Sequence, residues 1–140
     1  MIIDGIARLI GDGTTTDLQF SESAGGNVFV EALPNDPVRV VAVYAGAGEE
    51  ADSALPYDAP GVRIIVRSDR DARWGLATWA AIYSRLHGLR NVTLPDGTYL
   101  VYCLSEQSGP AHLQPDDHGR VLFSMNLRTE TKNPTNERPE

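Results

Sequence analysis

One cysteine, two methionines, three histidines and no long apolar run set the first limits on this 140-residue sequence. A lone thiol, Cys103, cannot close an internal disulfide, and a reducing, cytosolic origin is the simplest reading. No stretch approaches the roughly 18 apolar residues that a membrane helix requires. The N-terminus, MIIDGIARLIGDG, has no basic segment and carries Asp4 inside its apolar part, which argues against a signal peptide. No G-x-S-x-G elbow and no phosphate-binding P-loop occurs. Positive charge is scarce at the start of the chain: residues 1–60 hold ten acids against two bases, Arg8 and Arg39. With a net charge of −7, the chain is a poor wrapper of nucleic acid, because neutralising phosphates needs a basic footprint.

What is present is an ordinary globular composition, with 41% hydrophobic and 22% charged residues. That is enough to bury a core, and the length predicts one domain. Residues 131–140 (TKNPTNERPE) hold no apolar side chain, so the domain is expected over 1–130, with a flexible tail over 131–140. The bases cluster. Residues 61–90 carry six arginines and only two acids, Asp69 and Asp71. A chain with one acidic and one basic segment is suited to meeting a copy of itself or a shaped partner.

In order, Ile2, Ile3, Ile6, Leu9 and Ile10 share one face of a short helix that Gly11 and Gly13 end. VFVEAL (28–33) and VRVVAVYA (38–45) read as strands joined by the turn Pro34-Asn35-Asp36-Pro37, the second central and covered on both faces. Residues 46–60 form a long loop broken by Pro56 and Pro60. GVRIIVRS (61–68) alternates, with Arg63, Ile65 and Arg67 on one face and Val62, Ile64 and Val66 on the other. Ser68 reads as the cap of a helix over about 70–87, with Gly75, Trp79, Ile82, Leu86 and Leu89 as its stripe and Gly88 as its left-handed end. NVTL-PDG-TYLVYCL (91–104) is a hairpin. A second polar loop (105–119) leads to a last strand, VLFSMNLRTE (121–130). The expected fold is α+β: a mixed, mainly antiparallel sheet packed against one long helix, plus a short N-terminal helix. Both long loops are expected to be mobile until a partner orders them.

Chemistry-bearing patterns are few. Gly46-Ala47-Gly48-Glu49-Glu50-Ala51 follows a strand and imitates a dinucleotide loop. Glu49 and Glu50, however, stand where pyrophosphate needs a positive field, and the prolines leave no room for a crossover helix. His112, Asp116, Asp117 and His118 match no usual metal spacing. His87 at a helix end is a favourable terminal cation before it is a base. Cys103 has no activating neighbour in sequence and reads as an inert core thiol. Trp74 and Trp79 read as core and interface anchors. No catalytic, cofactor or metal site emerges.

The ordered set GVRIIVRS, a helix ending YSRLHGLRNVTL, the PDGTYL hairpin and the strand VLFSMNLRTE resembles the tail terminator, or minor capsid, proteins of long-tailed bacteriophages. The upstream VFVEALPNDPVRVVAVYAGAG resembles their early strand, turn and strand into a glycine-containing loop. The resemblance covers about residues 1–130, and the acidic GEEAD loop and the sparse N-terminal region depart from it. It implies a structural virion protein without catalytic activity or cofactor. Such a protein forms a six-fold ring, caps the finished tail tube and offers a docking surface to the head's connector. DNA passes through the ring without specific binding, and assembly occurs in the host cytoplasm. The alternative is a head-completion or connector-adaptor protein of the neck; a small nucleotide-binding enzyme is the reading that the 46–51 loop chemistry disfavours. Ring contacts join unlike patches. The expected interface therefore sets Arg63, Arg67, Arg70 and Arg73 against Glu49, Glu50, Asp52, Asp116 and Asp117, and reversing Arg67 or Arg70 should impair assembly more than folding.

Overall fold

The computed structural model describes residues 1–15, 17–22 and 25–139. It contains two helices, α1 (Ile2–Ile10) and α2 (Arg73–Leu86), and one eight-stranded sheet. The strands are β1 (Val28–Val30), β2 (Val40–Gly46), β3 (Tyr57–Asp58), β4 (Gly61–Arg67), β5 (Arg90–Thr93), β6 (Tyr99–Ser105), β7 (Ala111–Leu113) and β8 (Leu122–Lys132). The main order is β1-β2-β4-β8-β6-β5, and β1 alone runs parallel to its neighbour.

β8 is the spine. It is eleven residues long, roughly 35 Å of extended chain. No neighbour matches that length, so each of its edges carries two strands in succession. One edge takes β4 along 122–128 and β3 along 131–132; the other takes β7 along 122–124 and β6 along 127–132. The staggered partners make a curled sheet that wraps around both helices.

This corrects the expected architecture of a sheet packed against one long helix. α1 is a core element in its own right. Ile2, Ile3, Ile6 and Ile10 are each at most 6% exposed, in the same cluster as Trp79, Ile82 and Leu86 of α2. Burial contributes about 1.5–3 kcal/mol per such side chain. That far exceeds what a nine-residue helix gains from its own propensity. The two long loops also hold sheet, since β3 lies within 46–60 and β7 within 105–119. Neither short strand has a periodic pattern of its own, and each exists because β8 offers an unpaired edge.

The strand expected over 28–33 ends at Val30, and Glu31 takes φ +55°. The chain then crosses the outer face of the sheet over residues 31–39 and re-enters as β2, parallel to β1. Such a crossover is shorter than the dozen or more residues usually needed and contains no helix. Its peptide carbonyls therefore find side-chain donors. Arg67 supplies them, donating to Pro34 O (2.5 Å), Asn35 O (3.3 Å), Pro37 O (2.9 Å) and Val38 O (2.9 Å).

α2 starts at Arg73, later than expected, and Ala72 gives no side-chain cap. Ser68 still serves the helix from a distance: its hydroxyl donates to Asp71 O and accepts the Gly75 N–H at 3.1 Å. Gly75 lets the first turn meet β8, because a Cβ there would lie 2.7 Å from the Phe123 ring and 2.9 Å from Ser68 Cβ. Gly88 closes the helix region at φ +84°, and the Pro95-Asp96-Gly97 turn joins β5 to β6.

Candidate assembly surface

The alternation of β8 divides the sheet. Phe123, Met125, Leu127, Thr129 and Thr131 face the helices and are buried. Asn126 and Arg128 face outward, in register with Arg63 and Gly61 of β4. Tyr44 of β2 extends this row beside Arg63, and Leu104 of β6 lies beside Arg128. Near one end of this outer face, a second small cluster of Ala42, Ile65 and Leu122 packs under Leu33 from the crossover and Leu113 from β7.

Between these features lies an open groove of about 790 Å³. Leu33, Tyr44, Ile65, Leu113 and Leu122 form its apolar part, while Arg63, Arg128, Glu49 and Glu106 bring charge to it. Arg128 is 3.6 Å from Glu49. Arg63 is exposed and forms no ion pair among the described residues. Burial raises the Tyr44 phenol above its ordinary range, and the Glu31 charge adds to that.

The arginines grouped by sequence are split apart by the fold. Arg63 faces the groove. Arg67, expected on an outward face, is only 2% exposed and is spent on the crossover carbonyls. This corrects its assignment to an assembly surface: the alternation of β4 does point it outward, but the 31–39 segment covers that end. Burial lowers its pKa, and the neighbouring Arg120 charge adds to the effect. Arg70 is exposed and reaches His118 O at 3.4 Å. Arg73 is exposed and paired with Asp71 at 2.7 Å. The hydrogen bond between them raises the Arg73 pKa and holds Asp71 down at about 2.

The acids divide similarly. Glu49 joins the groove, and Glu50 is exposed beside it in sequence. Asp52 turns its own loop, accepting the N–H groups of Ala54 (2.8 Å) and Leu55 (2.7 Å); those bonds lower its pKa. Asp116 holds the 116–120 turn, accepting Arg120 Nε–H at 2.6 Å and the His118 and Arg120 amides at 3.0 Å. Asp117 is exposed.

Two residues that the sequence reading passed over shape the surface. Arg138 lies in the segment expected to be a tail, yet is only 7% exposed. It reaches the carbonyls of Asp52 (2.9 Å), Leu55 (3.1 Å), Tyr57 (3.2 Å) and Asn133 (3.3 Å), and pairs with the Asp58 carboxylate at 2.9 Å. Leu55, held in that loop, is 57% exposed. No periodic signal marks either one; a lone arginine after the last apolar residue carries none.

The decoys resolve into structure. Gly46–Ala51 leads into no helix, and the Glu49 N–H is already donated to Ala59 O. Among the described residues no group of three or more His, Cys, Asp or Glu side chains is placed to hold a metal. His112 packs edge-on against Phe123. Cys103 is fully buried, and that burial pushes its thiol up to about 12. Trp79 is core, donating Nε1–H to Ser124 O at 2.9 Å, and begins a stack through Tyr83 to His87. Trp74 donates to the Asp17 carboxylate at the surface. Among the described residues no helix is long and apolar enough to cross a membrane.

Comparison with known proteins supplies the context for this surface. A protein-family model described as "Bacteriophage tail terminator protein" matches residues 6–133. No curated protein matches the sequence.

Proposed function

The chain belongs to the bacteriophage tail terminator protein family, and from that premise we propose that it is the ring-forming subunit that closes the tail tube and joins it to the head connector. It is a phage tail-associated structural protein, a virion component that works by contact with other tail and head proteins. In the proposed assembly six copies form a ring through heterologous contacts. One side of the ring meets the major tail tube protein and the other the connector. DNA passes through the lumen without specific binding, and assembly takes place in the host cytoplasm.

The observation that carries this reading is the family match across nearly the whole chain. The surface chemistry supports it. An open, mixed groove of about 790 Å³ lies on a sheet face, suited to a macromolecular partner. The exposed charges Arg63, Arg70, Arg73, Glu50 and Asp117 remain at the surface for contacts between subunits. An acidic protein also lets DNA slide, since few phosphates are neutralised.

Capture of purified partners tests the role. Tail tube protein should retain the chain on a column, and its assembled tubes should stop growing when the chain is added. Capture by portal complex alone, with no effect on tubes, would instead assign it to head completion.

A further inference from the structure

The β2–β4 connection is not a floppy loop. Gly46 sits opposite Gly61, and the Glu49 N–H donates to Ala59 O, so the loop is closed at its neck. At its far end the buried Arg138 gathers the Asp52, Leu55 and Tyr57 carbonyls, while Asn133 N–H donates to Pro56 O at 2.6 Å. Asp52 completes the frame from within by accepting two amides. The fold thus spends a nearly buried arginine on holding a segment whose Leu55 side chain points to solvent, with Tyr57 half-exposed beside it. Fixing a loop in advance lowers the entropic cost of docking it.

The charges around the segment also leave a remainder. Residues 46–60 contain Glu49, Glu50, Asp52 and Asp58 and no base. Glu49 is matched by Arg128 and Asp58 by Arg138, which leaves Asp52, turned onto two amides of its own loop, and Glu50 without an ion pair among the described residues. In the groove, Arg128 is matched by Glu49, which leaves Arg63 on the β4 side and Glu106 on the β6 side. An apolar tip beside unmatched acids therefore corresponds to the β4 side of the groove, where Ile65 lies two residues from the unmatched Arg63.

We propose that residues 52–58 form a rigid knob that seats Leu55 in the outer-face groove of a second copy of this chain, with Glu50 facing that copy's Arg63. This rests on the ring reading and supplies its contact: knob and groove are unlike patches, as a closed ring of identical subunits requires. The knob ends against Ile65, Leu113 and Leu122, the apolar part of the groove.

The test uses the full chain. Leu55→Asp and Arg63→Glu alter exposed positions, so thermal melting should match the native chain, while each raises the concentration for half-assembly by at least about tenfold. Adding Glu50→Arg to Arg63→Glu should restore assembly. Chains carrying Leu55→Cys, mixed with chains carrying Arg63→Cys, should cross-link to each other on oxidation; the native Cys103 is buried and stays out of the reaction. Rings that form normally from both charge-altered variants, with no cross-link, overturn the knob and leave the ring reading standing. Rings that persist while Leu55→Asp abolishes capture by tube protein also overturn it, and assign the knob to the tube. A native chain that stays monomeric with tube protein present sinks both readings.

Discussion

Replacing Arg138 with alanine isolates what a single buried side chain does for the 52–58 segment. The change removes the donor shared by the Asp52, Leu55 and Tyr57 carbonyls and the partner of the Asp58 carboxylate. A buried acceptor left unsatisfied costs about 1–3 kcal/mol, and removing one partner of a buried ion pair costs about 3–5 kcal/mol. The site is not fully dry, since the Asp58 side chain is 23% exposed, and water can replace part of the loss. The expected cost is therefore about 2–4 kcal/mol, below the sum of its parts. It should appear locally, because opening the segment releases no more of the sheet than the two-residue β3 at the end of β8. The reporters are the amides of Ala54, Leu55, Tyr57 and Asn133, each bonded within this cluster. Their exchange should quicken by about 30- to 1,000-fold, at one tenfold step per 1.4 kcal/mol. Amides of β4 and of β8 over 122–128 should keep native protection. Unchanged exchange at those four amides would refute the assignment of Arg138 as the residue that holds the knob.

Other perturbations separate the remaining parts. Arg67→Ala leaves four crossover carbonyls without their donor, and should cost about 3–5 kcal/mol of global stability, read as a lower melting temperature; a loss of assembly with unchanged melting would contradict its buried role. The Asp58 carboxyl is lowered first by its hydrogen bond from Arg138. Its contribution is therefore complete above the unfolded value of 3.8 and is lost as pH falls through the lower folded value. Exchange at Tyr57 should quicken only in acid below that value, and quickening at neutral pH would contradict the pairing. Cys103 should resist a thiol reagent in the native chain and react fully in guanidinium, since burial pushes it up to about 12. Prompt native labelling would contradict its place in the core.

Local signals carried much of the fold. The isoleucine spacing of α1, the Trp79-Ile82-Leu86 stripe and the Pro95-Asp96-Gly97 turn each follow from a rule that acts within a few residues, and all three stand where expected. What the sequence did not disclose is set by distant pairing. β3 and β7 form only because β8 outlasts its neighbours, and the length of β8 is clear only once its partners are known. Arg67 shows the same limit. Alternation gave its face correctly, but whether that face is wet depends on where residues 31–39 travel. Arg138 is the extreme case: nothing near it in sequence is apolar, and its partners lie some eighty residues earlier. The surface was therefore legible as charge segregation and illegible as geometry, because most of those charges are already answered within the chain.

The measurement that bears most directly on the account is imaging of the chain with assembled tail tubes, joined to mass determination of the free assembly. The account predicts rings of six copies of the 15.2 kDa chain, seated at one end of each tube, and tubes that no longer elongate. Monomers that leave both tube ends bare and growing would contradict it.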